Sequence, residues 1–134
     1  MLFGPEHVER YQATGGAEGH DWEQGSTVLL LTTTGRKSGE KRIMPLIYRD
    51  HGDDYLVVAS KGGAPEHPAW YLNLVDDPSV EVQIKDDVFQ ATARTATAEE
   101  RPEMWKKMAE MWPAYDDYQA KTDREIPVVV LSRA

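Results

Sequence analysis

Arg36, Lys37, Lys41 and Arg42 place four cations within seven residues of a 134-residue chain whose formal net charge is −8. Like charges crowded this closely repel one another unless something anionic sits on them. On pattern alone the stretch is either a solvated, lysine-protected hairpin end or a grip for a phosphate or carboxylate, with Ser38 and the turn amides as extra donors. It is not a Walker-type loop. Gly35 and Gly39 stand too close together, and Lys37-Ser38 precedes the second glycine instead of following it.

Two further stretches hold residue types suited to chemistry. In Ala59-Ser60-Lys61-Gly62-Gly63, small residues allow a planar ligand to come close, and Lys61 adds a fifth cation. Trp112, Tyr115 and Tyr118 are spaced by three around Pro113. They either pack a corner or wall an apolar pocket and donate a phenolic proton. His20 and Asp21 adjoin in an irregular segment, where such neighbours are expected to be plain surface residues. His7, His20, His51 and His67 lie far apart without helical spacing, so no metal site is expected. Ser60 lacks the Gly-x-Ser-x-Gly elbow of serine hydrolases.

Composition narrows the classes. With no cysteine, disulfides, thiolate metal sites and thiol nucleophiles are excluded, and a reducing cytoplasm suits the chain. No apolar run approaches the ~20 residues of a membrane span, and no signal segment opens the sequence. The negative charge disfavours nucleic acid, so the basic cluster is expected to serve one compact anion, not a polyanion.

The elements that must position these residues read as follows. Residues 6–14 form a short helix with Pro5 at its start. Residues 27–34 and 41–49 are strands joined by the basic turn, and Pro45 makes the second an edge strand or a bulged one. After a turn at Asp50-His51-Gly52-Asp53, residues 55–60 form a third strand, which suggests an antiparallel meander. Residues 69–75 are a short helix after Pro68, and residues 80–85 and 88–94 a hairpin. Thr97-Ala98-Glu99-Glu100 is a capping box opening a helix to about Met111, along which Met104, Trp105, Met108, Met111 and Trp112 mark a core-facing stripe. A further short helix covers 114–121. Val128-Val129-Val130-Leu131 is apolar on both faces and is expected to pair centrally. The sum is mainly β with flanking helices: about six antiparallel strands in one domain, curled into a small sheet or barrel.

With these residues laid out, the sequence resembles the deazaflavin-dependent nitroreductase family, actinobacterial split-barrel oxidoreductases that use coenzyme F420. The resemblance rests on Thr-Thr-Gly-Arg-Lys-Ser-Gly (33–39), Arg42 with Pro45-Leu46, the 59–63 corner, Pro-Ala-Trp-Tyr-Leu-Asn-Leu (68–74), Tyr115 with Asp117-Tyr118-Gln119, and Ile-Pro-Val-Val-Val (126–130). It implies a split β-barrel and a hydride-carrying deazaflavin with a phosphate and an anionic oligoglutamate tail. By resemblance, Arg36, Lys37 and Ser38 hold the phosphate end, with Lys41 an addition to the groove. Arg42, Ile43, Met44, Pro45, Leu46, Ile47, Val58, Ala59, Ser60 and Lys61 line the cofactor groove. Ala69, Trp70, Tyr71, Leu72 and Asn73 close over it, and Tyr115 stands near the ring.

The implied activity is hydride transfer to an electron-poor acceptor: a quinone first, then nitroaromatics or enones. Tyr115 or Tyr118, or solvent, would protonate the product, and Ser60 would hold an acceptor oxygen. Trp112 and Ile47 stand where the family's characterised nitroreductase has tyrosines, which favours a quinone reductase over a nitroimidazole reductase. The alternatives are an FMN-dependent split-barrel oxidoreductase and a non-catalytic deazaflavin-binding protein. A membrane-borne quinone would be met by the N-terminal segment. Residues 6–11 make a poor cationic amphipathic helix, so contact with the inner face of the membrane is expected to be peripheral. Pairing into a homodimer through the sheet is the expected assembly.

Overall fold

The chain leaves one edge of its sheet and joins the other edge across a single residue, and this closes the fold. The computed structural model describes residues 2 and 4–134. Its seven strands are β1 (Val28–Thr34), β2 (Lys41–Ile47), β3 (Arg49–His51), β4 (Asp54–Val58), β5 (Ser79–Ile84), β6 (Asp87–Thr95) and β7 (Val128–Arg133). They form one antiparallel sheet in the order β2-β1-β5-β6-β7-β4-β3. Only Tyr48 separates β2 from β3, the two ends of that order. The sheet must therefore curl until its edges meet, giving the split barrel.

The barrel interior takes alternate residues of each strand: Leu29 and Leu31, Val57, Val80 and Val82, Val129 and Leu131, all buried. The intervening residues face outward beneath helices. Val28 and Leu30 meet Tyr11 of α1 (Gly4–Thr14). Leu56, Val58, Val128 and Val130 meet Met104, Met108 and Tyr115 of α3 (Arg101–Met111) and α4 (Ala114–Ala120). The remaining helix, α2 (Ala69–Asp76), sends Trp70 and Leu74 into the barrel core. Tyr11 ties α1 down, since its hydroxyl donates to Val28 O at 2.9 Å and accepts the Lys85 N–H at 2.8 Å.

Several expectations hold at the level of atoms. Pro45 sits on an edge strand, opposite Leu30, where its missing N–H interrupts no second ladder. Strand β7 is central, between β6 and β4, and apolar on both faces. The capping box closes reciprocally: the Glu100 N–H donates to Thr97 Oγ1 at 3.3 Å, and the Thr97 N–H to Glu100 Oε1 at 2.9 Å.

The meander does not hold. Strand β1 pairs with β2 and β5, and β4 pairs with β3 and β7, so the first strands are not laid side by side in chain order. The reason is burial. Val28 to Leu31 are buried without a break, so β1 needs a neighbour on each edge, and β5 supplies the second. The strand count rises from six to seven because Arg49–His51 extends toward a turn of only Gly52 and Asp53.

Candidate active site

A cleft of about 760 Å³ opens where the basic turn, β2, the end of β4 and the start of α2 converge. Its apolar floor comes from Met44, Leu46, Val58 and Trp70; its rim from Arg36, Lys37, Ser38, Arg42, Ser60 and Lys61. Strand alternation decides which residues of 42–47 take part. Arg42, Met44 and Leu46 face the cleft, whereas Ile43 and Ile47 pack against Tyr11, Val28 and Leu30 on the other face. Pro45 also points away, toward α1. The sequence-based assignment of the whole run Arg42 to Ile47 as lining is thus corrected to every second residue. Ala59 is likewise turned into the barrel core, between Val58 and Ser60, which line the cleft.

The basic turn is shaped by backbone bonds. The Gly35 N–H donates to Glu40 O at 2.7 Å and the Gly39 N–H to Gly35 O at 2.8 Å. A Cβ on Gly35 would stand 2.8 Å from Ser38 Oγ and 3.1 Å from Glu40 O, so a side chain there would crowd the turn. Asn73, buried in α2, anchors the turn to the helix. Its Oδ1 accepts from the Arg36 N–H at 3.2 Å and from Arg36 Nη1 at 2.9 Å, and its Nδ2 donates to Thr33 Oγ1 at 3.3 Å. Asn73 lines the cleft, but its amide is occupied in aiming Arg36.

The cations there are short of acids. Lys61 pairs with Glu66 at 3.1 Å, and Arg42 reaches Glu40 only at 3.5 Å. Arg36 has the neutral Asn73 as its side-chain partner, and Lys37 has no ion pair or hydrogen bond among the described residues. Lys41 leaves the group: its Nζ bonds Thr34 Oγ1 at 2.9 Å and faces a separate hollow with Asp77 and Glu81. Its neighbour Arg42 points the opposite way for the reason given above, the two-residue period of a strand. What remains is a rim of exposed positive charge over an apolar floor, suited to a ligand with an apolar body and an anionic end.

The tyrosines stand elsewhere. Tyr115 is 5% exposed and packs with Met104, Met108 and Val58. It touches the outward side of β4 and does not line the cleft. Burial pushes its phenol above the ordinary tyrosine range, with Tyr118 adding to the shift. Tyr118 packs edge-on against Tyr115, centroids 6.1 Å apart, beside Lys121. The expected placement of Tyr115 at the ring is thereby corrected to a second layer behind Val58. Tyr71 is also turned aside, bonding Thr95 Oγ1 at 2.8 Å, and Leu72 faces outward. Of the predicted closing helix, Ala69, Trp70 and Asn73 line the cleft. Ser60 lines it with a hydroxyl that has no partner among the described residues.

Met44 also borders a second, smaller hollow of about 200 Å³, with His7, Trp22, Val28, Pro45 and Ile47. Trp112 stacks on Trp22 there, centroids 5.5 Å apart. His20 corrects another expectation, for it is buried. Its Nδ1–Asp21 Oδ1 distance is 2.8 Å and its Nε2–Tyr48 hydroxyl distance 2.8 Å. The pair latches the loop to the β2–β3 bend and faces no cleft.

A model of the F420H(2)-dependent quinone reductase family matches residues 4–133. This chain belongs to that family. An F420H(2)-dependent quinone reductase of Mycobacterium tuberculosis is 40% identical over 130 residues, which cover 95% of this chain and 87% of the relative. Among solved structures, an F420-H2 dependent reductase is 48% identical, with a TM-score of 0.73 over 78% of this chain and 93% of its own. Another, described as a domain-swapped dimer, is 44% identical with a TM-score of 0.76, covering 95% of each chain. A heme storage protein from Vibrio cholerae, 17% identical with a TM-score of 0.63 over 100% of this chain and 92% of its own, shares the fold alone.

Proposed function

We propose that the protein reduces quinone-like acceptors with hydride drawn from reduced coenzyme F420 bound in the 760 Å³ cleft. The observation that carries this is the acid-poor cationic rim, Arg36 and Lys37 with Ser38, at the mouth of an apolar floor, on a chain of the F420H(2)-dependent quinone reductase family. The residues present fit the cofactor. An anionic tail is compensated by Lys37, which has no partner among the described residues, and a fused ring by Met44, Leu46, Val58 and Trp70. When bound, F420 supplies a hydride.

The chain's own share is to bind, orient and keep water away. Asn73 aims Arg36, and Lys37 adds charge without having to break an existing pair. The Ser60 hydroxyl, without a partner among the described residues, is placed to hydrogen-bond an acceptor oxygen, with solvent as the proton source. Tyr115 supports Val58 from behind and is not assigned a proton-transfer role. The hollow that shares Met44 with the cleft, bounded by Trp22 and Ile47, suits an apolar planar acceptor.

The FMN alternative draws no support from the family, whose name specifies F420H(2). A carrier without turnover is separated from an enzyme by one assay: reduced F420 is mixed with a water-soluble quinone and its oxidation followed by absorbance. Multiple turnovers per protein are expected, faster with the quinone than with a nitroaromatic or an enone. A single stoichiometric oxidation, or none, would reduce the protein to a binder. We further propose a homodimer in the cytoplasm, with transient contact at the inner membrane face through α1. No helix among the described residues is long and apolar enough to cross a membrane, and His7 and Tyr11 of α1 are buried against the barrel.

A further inference from the structure

Arg124 lies in the segment leading into β7 and forms no part of the cleft lining, yet its half-buried guanidinium holds one cleft wall from behind. Nε donates to Ala64 O at 2.8 Å and Nη2 to Ser60 O at 2.8 Å. Nη1 reaches Ala59 O at 3.3 Å and His67 Nδ1 at 3.1 Å. Three carbonyls of one loop and one imidazole thus converge on a single planar fork, which the point charge of a lysine could not match.

Between the gripped carbonyls run Lys61, Gly62 and Gly63, with φ of 47°, 63° and 86°. Glycine adopts such angles freely. Lys61 does not, and an L side chain in the left-handed region persists only where its surroundings over-determine it. The loop is confined on its other side too, because a Cβ on Gly63 would stand 2.6 Å from Tyr118 O. Ser60, Lys61 and Gly62 of this same tract line the cleft.

His67 is the proton-sensitive partner. A nitrogen that accepts from a guanidinium is unprotonated, so Nδ1 offers its lone pair and Nε2 carries the hydrogen. Protonation would remove that acceptor and set an imidazolium against a guanidinium. Burial and then Arg124 hold the imidazole below its ordinary pKa. From α2 it faces the uncharged Tyr71, ring centroids 4.9 Å apart. On its own loop the charges are Glu66 and Lys61, already paired at 3.1 Å. Glu66 also acts electrostatically on Arg124.

We propose that Arg124 is a positioning residue of the cofactor cleft, acting through the Ser60–Gly62 wall, and that it grips fully only while His67 Nδ1 is unprotonated. The ligand in this statement rests on the functional reading above; the clamp itself does not. Because burial and Arg124 hold His67 below the ordinary histidine pKa of about 6.5, the clamp is still complete at that pH and is lost only as pH falls further.

The test compares the natural protein with Arg124→Lys and His67→Gln. It reads amide hydrogen exchange at 61–64 without ligand, and F420 affinity by fluorescence from about pH 8 to about pH 5. Arg124→Lys keeps the charge but loses the fork. Exchange at 61–64 rises and F420 binds about tenfold more weakly. His67→Gln retains an acceptor that cannot be protonated. Its affinity at about pH 8 stays within about twofold of the natural protein, and the acid-side decline disappears. Titration of the ligand is common to both proteins and cancels in their ratio. Unchanged exchange in Arg124→Lys, or parallel acid declines in His67→Gln and the natural protein, would overturn the proposal. Should Arg124→Lys not fold, the His67→Gln comparison decides. A natural protein that binds no F420 would sink the functional reading, while the exchange data still decide the clamp.

Discussion

The basic turn and the aromatic patch under α4 both look chemical in the sequence, and the structure separates them. At the turn, Lys37 is exposed with no partner among the described residues and Arg36 is held out by Asn73, so the charge there is available. Under α4, Tyr115 is packed by Met104, Met108 and Val58, and its phenol is pushed toward the neutral form by burial. Unmatched charge kept at a surface has to be offset by something outside the chain. An aromatic ring buried among methionines and valines is already accounted for by the fold. What distinguishes a site residue here is the interaction it lacks.

The contrast is broken most strongly by Tyr115→Ala. Truncating a buried aromatic typically costs about 3–5 kcal/mol, and a loss of that order is expected in urea unfolding. A loss below about 1 kcal/mol would mean the patch is not core. Lys37→Ala should do the reverse, leaving stability within about 0.5 kcal/mol while weakening F420 binding about tenfold. A neutral ring fragment should bind Lys37→Ala as it binds the natural protein. Equal losses for both ligands would contradict the anion grip. The smallest effect is expected from Tyr115→Phe, which removes only a hydroxyl with no hydrogen-bond partner among the described residues. Turnover at saturating acceptor should be unchanged, and a fall of tenfold or more would restore tyrosine as the proton donor.

Much of this was legible in the sequence because it is local. Gly35, Gly39 and the cations between and after them define the hairpin turn wherever the sheet goes, and Thr97 with Glu100 defines a helix start within four residues. The pairing order was not legible. That β1 would take β5 as its second neighbour depends on residues about fifty positions apart, and hydrophobic pattern alone does not specify a partner. Half of the β2 assignment fails for a different reason. The run Arg42 to Ile47 resembles the family as a block, yet a strand presents alternate residues to each face, and applying that period would have removed Ile43, Pro45 and Ile47. The burial of His20 has no local signal, because it is set by tertiary contact with Tyr48, which no window around His20 contains. Arg124 carried no local motif at all. The sequence shows only a charged residue among charged neighbours, four positions before the apolar start of β7, and its acceptors at 59–67 lie far away along the chain.

The most direct test of the central claim is a parallel fluorescence titration of the purified protein with oxidised F420 and with FMN. Saturable F420 binding that Lys37→Ala weakens is expected, without comparable binding of FMN. Tighter binding of FMN, or F420 binding indifferent to Lys37, would contradict that claim.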